Sequence, residues 1–289
     1  MRLRTALFGV LLFLQSALVL TGGAVRLTGS GLGCPTWPEC TPGSYTPVPH
    51  QAEGQLHAWI EFGNRLLTFA LLFSALAAVI YVLKSGRRDL RALAAGQVLG
   101  IIGQGVLGGI TVLTDLHPLP VAGHLLLSMF LIAGATSLYS RRHEPHVKVS
   151  APTKTVSLLS QTHIAISFIV LILGTIVTGS GPHAGDEKAQ RFGFDIRSVA
   201  ILHADAVIFL MGLTIALLVA ASVKHSTKKA IYIFFGISLA QGGVGYAQYL
   251  TGIPELLVAI HLAGATIFWI AAWRIRLSVV RTSQQERDQ

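Results

Sequence analysis

Long apolar runs alternate with short polar segments along the whole chain, at roughly 5–25, 57–83, 91–113, 120–139, 155–179, 198–222, 228–250 and 254–273. Each is long enough to cross the hydrocarbon core of a bilayer, which takes about 20 residues. A lone strand would leave its backbone groups unpaired in lipid, so every run is predicted to be a helix. The fold class is therefore an all-α polytopic membrane protein with eight transmembrane helices. The first run ends in glycines without a small-residue cleavage site, and it reads as helix 1 rather than as a signal peptide.

The pattern repeats itself. Gln104, Gly105, Gly108 and His124 recur as Gln241, Gly242, Gly245 and His261 at a constant offset of 137. Thr28-Gly29-Ser30-Gly31 after helix 1 is echoed by Thr178-Gly179-Ser180-Gly181 after helix 5. Helices 1–4 and 5–8 are thus expected to form two pseudosymmetric four-helix bundles, related by an axis along the membrane normal. The expected division is an N-terminal bundle (1–140), a basic linker (141–154), a C-terminal bundle (155–275) and a tail (276–289).

Composition supports this picture, with 52% hydrophobic and 12% charged residues and a mean hydropathy of +0.62. The net charge of +9 invites a nucleic-acid reading, but the distribution argues against it. Of the 22 Lys and Arg, only Arg26, Lys188, Arg191 and Arg197 fall on one side of the topology, and Arg65 lies inside a helix. The rest share the other side, which the positive-inside rule makes cytoplasmic together with both termini. The expectation is a multi-pass protein of the cell membrane.

Ionisable groups inside the helices are costly and so point to function. His124, His203 and His261 lie in helices 4, 6 and 8, each about 6–12 Å below the outward helix end at 1.5 Å per residue. Taken singly, each suits a satisfied packing histidine. As a set tied to a repeat, they suit heme, whose iron commonly takes neutral imidazole from facing helices. His203 and His261 would reach one iron from opposite sides. Zinc or copper would want more ligands, and Asp205 is the lone intramembrane carboxylate nearby. His50, His117 and His183 fall in outward loops, and His143, His146 and His225 on the cytoplasmic side, all read as solvated. His163 lacks a repeat partner and suits the core equally well.

Helix 2 places His57, Glu61, Asn64 and Arg65 on one face. Asn64 stands near where the repeat would put a counterpart of His203, and its amide is a poor iron ligand. The first bundle is therefore expected to hold iron asymmetrically, through His124 alone or with a partner such as His57. Glu61 suits either an i,i+4 pair with Arg65 or a proton donor and charge stabiliser. Arg65 is also a candidate partner for a heme propionate. Cys34 and Cys40, the only cysteines, share the first outward loop. They suit either a structural staple or an exposed, reducible pair linked to redox chemistry.

TGSGLGCPTWPEC after helix 1, IEFGNR in helix 2, LGGITV ahead of His124, and the His203–His261 pair together resemble heme A synthase. The resemblance extends over all eight helices. It implies a b-type heme in the C-terminal half, with His203 and His261 as axial ligands. It implies heme O as substrate in the N-terminal half, with His124 as ligand or neighbour and Asn64 and Arg65 in its pocket. Glu61 matches the family's functional glutamate, and Cys34 and Cys40 match its paired loop cysteines. The implied activity is oxidation of the C8 methyl of heme O to the formyl of heme A by successive hydroxylations, for cytochrome oxidase biogenesis. Implied partners are heme O synthase, oxidase assembly factors and an electron donor. Asn64 departs from the family's usual histidine before the arginine and resembles a branch with GNR there. The competing readings are a non-catalytic b-type cytochrome, which calls for equivalent bis-histidine sites in both halves, and a transporter with polar pathways at the midplane.

Overall fold

A computed structural model describes residues 2–143, 153–187, 189–220 and 225–285. The protein is an all-α polytopic membrane protein. Its helices are α1 (Arg2–Leu27), α2 (Gln55–Lys84), α3 (Arg91–Leu113), α4 (Pro118–Ser140), α5 (Lys154–Ser180), α6 (Ile196–Ala220), α7 (His225–Leu250) and α8 (Glu255–Gln285). All eight are long and apolar enough to cross a membrane. They follow the predicted runs, except that α8 continues well past 273 as its sequence turns basic and polar. Most of the predicted linker, including His146, and the last residues of the tail lie outside the described residues.

The chain divides into two compact units. The first comprises residues 1–142 with 175–196, the second residues 143–174 with 197–289. The end of α5 and the segment after it thus group with the N-terminal helices. Arg26 supplies a reason, donating from Nε to the carbonyl of His183 (2.5 Å) and from Nη2 to that of Thr178 (2.9 Å). Gly31 adds a backbone bond to the Gly185 carbonyl at 2.9 Å.

In the first unit α1 packs on α2 and α4, and α3 packs on α2 and α4, closing a four-helix ring. Its core mixes large residues (Phe8, Leu11, Leu71, Leu138) with Ala75, Ala78, Ala94 and Ala135. Lipid tails are as apolar as leucine, so close packing of small residues, rather than escape from water, draws such helices together. Polar side chains add interhelical bonds: Gln15 Nε2 donates to Gln97 Oε1, and Gln97 Nε2 to the carbonyl of Leu131, both at 3.0 Å. Asp89, in the 3-10 turn Arg88–Leu90, pairs with Arg87 (2.8 Å) and Arg141 (3.0 Å) and ties the α2–α3 connection to the end of α4. His117, read as a solvated loop residue, is the N-cap of α4, its Nδ1 accepting from the amide of Leu119 ahead of a helix that opens on proline.

In the second unit α7 packs on α8. His163 on α5 is buried, with Nε2 3.2 Å from Thr214 Oγ1 of α6 and its ring edge-on to Phe234 of α7. It is a satisfied core histidine, the option its lack of a repeat partner left open. Arg276 of α8 donates to Ser160 Oγ of α5 at 3.2 Å.

Gly100 marks a close α3–α4 approach, where an added Cβ would clash with Leu131 Cδ2. Gly96, one turn earlier, has nothing within 4 Å of that position. Gly100→Ala should cost about 1–3 kcal/mol through overpacking, and Gly96→Ala should be neutral or slightly stabilising. Thermal unfolding of the two purified variants in detergent checks the contrast.

Candidate functional site

The segment after α1 is lashed onto the helices beneath it. Cys34 and Cys40 form a disulfide, and both are fully buried. The pair is therefore not the exposed one that a directly reducible couple would present. Trp37, between them, lies on α3 at Gly109, where a Cβ would stand 2.6 Å from the indole. Gly33 crosses the start of α2 so closely that a Cβ would meet the His57 carbonyl, and Gln51 Nε2 donates to the Gly33 carbonyl.

Glu61 and Arg65 hold this loop to α2. The Cys34 amide donates to Glu61 Oε2 at 2.6 Å, and Arg65 Nη2 donates to Glu61 Oε1 at 2.5 Å. The remaining Arg65 donors reach the carbonyls of Cys34 (2.8 Å), Thr36 (3.2 Å) and Glu39 (3.3 Å). The i,i+4 pair expected from sequence exists, but it does more than brace one helix. It joins a buried carboxylate to the backbone of the disulfide loop.

Asn64, next to Arg65 in sequence, accepts a hydrogen bond at Oδ1 from Thr21 Oγ1 of α1 (2.7 Å). His57 lines a cavity of about 260 Å³ together with Gly33, Glu53 and Asp186. His124 stands on α4 against Gly108 of α3, where a Cβ would lie 3.3 Å from its Cε1. Gln104 Nε2 donates to the His124 carbonyl (3.0 Å) and to Ser128 Oγ (2.6 Å).

The second unit brings His203 and His261 together. Their ring centres are 6.5 Å apart with planes at 71°. Each ring faces a glycine on a neighbouring helix: a Cβ at Gly174 would lie 3.4 Å from His203 Cε1, and one at Gly245 3.6 Å from His261 Cε1. Gln241 Nε2 donates to the His261 carbonyl at 2.8 Å. The Nδ1 atoms of His124 and His261 are buried without a hydrogen-bond partner, whereas the His203 ring interacts with the backbone of Val170 on α5. Asp205 is exposed on α6, away from this pair. Among the described residues no three His, Cys, Asp or Glu converge as a bare metal ion would require.

Two features escaped sequence reasoning. The loop clamp joins Glu61 to a backbone amide 27 residues away, and no local pattern signals such a bond. The glutamines were visible in the 137-residue repeat, but nothing in their spacing showed that they bond the histidine carbonyls.

The family model described as "Cytochrome oxidase assembly protein" (COX15-CtaA) matches residues 5–185. The heme A synthase of Sinorhizobium fredii is 25% identical over 92% of this chain and 87% of its own. That of Shewanella oneidensis is 25% identical over 91% and 92%. A shorter match, 31% identical over 30% of this chain, links it to the heme A synthase of Geobacillus kaustophilus.

Burial of both sulfurs predicts that a membrane-impermeant thiol reagent, with or without mild reductant, leaves the native protein unlabelled. Unfolding in detergent with reductant should release two thiols, counted by mass shift. Rapid labelling of the native protein after mild reduction would contradict the buried staple.

Proposed function

Because the chain belongs to the COX15-CtaA family of cytochrome oxidase assembly proteins, we propose that it is a heme A synthase, a membrane oxidoreductase that converts the C8 methyl of heme O to the formyl of heme A. The His203–His261 pair carries this reading. With metal–imidazole bonds of about 2.0–2.1 Å, two rings facing across one metal atom stand with centres roughly 6–6.5 Å apart. The observed separation of 6.5 Å fits, and two imidazoles would suffice because a porphyrin supplies the other four nitrogens. Gly174 and Gly245 leave a flat approach beside each ring.

His203 and His261 would hold heme b, which supplies electron carriage when bound. The first unit takes the substrate. His124 is its iron ligand or close neighbour, and Asn64, turned to Thr21, makes the opposite side unlike the second unit. That asymmetry favours a site that binds, reacts and releases over a pair of equivalent electron-carrying hemes. Glu61 offers a carboxylate held from two directions, by the Cys34 amide and Arg65, so its charge keeps a fixed position as the methyl carbon is oxidised. Arg65 and the buried disulfide loop keep that carboxylate in place and limit water entry. In the reaction an external oxidant takes two electrons from the methyl carbon for each C–H replaced by C–OH, twice on the same carbon, and the resulting geminal diol loses water to leave the formyl group. The positive-inside rule, applied to the basic side of the sequence, supports cytoplasmic termini and an outward disulfide loop in the cell membrane. Heme O synthase, oxidase assembly factors and an electron donor are the partners this role calls for.

Expression in a host that makes heme O but no heme A should yield heme A or its hydroxylated precursor, read by chromatography and mass spectrometry of extracted hemes. Removing one partner of a buried ion pair typically costs about 3–5 kcal/mol, so Glu61→Gln is a better probe than Glu61→Ala. It keeps an acceptor for the Cys34 amide, and it should retain the second unit's heme while conversion falls about 100-fold or more. Full conversion by Glu61→Gln would remove the catalytic role from that residue. Heme b bound without either product from the wild type would favour an electron-carrying cytochrome.

A further inference from the structure

The repeat contains a glutamine that the proposed chemistry does not use. We infer that Gln241 with Gly245 on α7, and Gln104 with Gly108 on α3, are positioning residues that set the ring orientation of His261 and His124. The inference rests on the heme A synthase reading and extends it to residues that touch neither iron nor substrate.

A histidine that ligates a metal usually donates its other ring nitrogen to a carboxylate, carbonyl or water, which fixes the plane of the ring. Here Nδ1 of both His124 and His261 is buried with no such partner in the protein. Something else must hold these rings. In each unit the same two contacts are available. A glutamine amide donates to the backbone carbonyl of the histidine itself, at 3.0 Å for Gln104 and 2.8 Å for Gln241. One helical turn further along the same helix, a bare glycine backbone lies against the ring's Cε1. The amide pins the residue that bears the ring, and the glycine surface limits the ring's rotation.

The two units lock the glutamine differently. In the first, Ser128 Oγ accepts a second bond from Gln104 Nε2 at 2.6 Å. In the second, the Gln241 amide is pressed onto Gly264, where an added Cβ would clash with its Oε1 and Cδ. That seat exists only because residue 264 has no side chain. A bulkier residue there would evict the amide and leave every other polar group unchanged.

Glutamines also glue membrane helices without serving any ligand, and Gln97 does so. Its Nε2 bonds the Leu131 carbonyl at 3.0 Å beside Gly134, where a Cβ would stand 2.5 Å away, with no histidine involved. It is the control.

The test uses full-length protein purified with its heme, comparing wild type, Gln241→Leu, Gly264→Ala, Gln97→Leu and His261→Ala by low-temperature electron paramagnetic resonance and redox titration. Gln241→Leu and Gly264→Ala should shift the low-spin g-values and the midpoint potential with heme content retained, while Gln97→Leu matches wild type. Gly264→Ala keeps every hydrogen-bonding residue, so it serves if Gln241→Leu does not fold. Unchanged spectra and potential in Gly264→Ala would overturn the inference, as would an equal shift in Gln97→Leu. Absence of low-spin heme from the wild type, or its persistence in His261→Ala, would instead overturn the heme reading on which the inference stands.

Discussion

A polar side chain inside a membrane helix must find its partner within the protein, because hydrocarbon offers none. Most of the arrangement follows from how that demand is met. Gln15 and Gln97 meet it across α1, α3 and α4, Asn64 meets it with Thr21, and Glu61 meets it with Arg65 and the Cys34 amide. His163 shows what a structural histidine looks like here, with a hydroxyl at one nitrogen and its ring edge-on to a phenyl ring. His124 and His261 differ from it, each set against glycine with a buried nitrogen left without a partner. The contrast is between a histidine satisfied by its neighbours and histidines whose side chains are left with a free nitrogen, as the proposed ligand role calls for.

The same demand accounts for the shape of the first unit's loop-bearing end. A loop carrying a buried disulfide has backbone carbonyls that need donors, and Arg65 supplies several at once. The guanidinium in turn needs a counter-charge, which Glu61 provides one turn earlier on α2. Loop, cation and carboxylate are therefore one assembly. A change in any of them moves the others, so the position of the Glu61 charge is set as much by the loop as by its own helix.

Much of this was legible from residue order. The eight spans rest on the length and apolarity that lipid enforces, the matched histidines on the 137-residue repeat, and the Glu61–Arg65 pair on helical periodicity. The heme A synthase resemblance rested on motifs spread along the whole chain. What was not legible depended on contacts between distant segments. The Cys34–Glu61 bond uses a backbone amide, which every residue has, and so leaves no mark on composition. Trp37 reads as a loop aromatic until Gly109 is seen beneath it. Thr175–Ile196 reads as part of the second half, yet Arg26 binds its carbonyls and it groups with the first. The role of His163 depended on Thr214, 51 residues further on.

The central claim is that one unit holds heme between two histidines while the third histidine serves a different site. Optical and electron paramagnetic resonance spectra of purified His124→Ala, set against those of His203→Ala, test it most directly. The account predicts that His124→Ala keeps the low-spin b-type signal and that His203→Ala loses it. Loss of that signal in His124→Ala, with its retention in His203→Ala, would contradict the account.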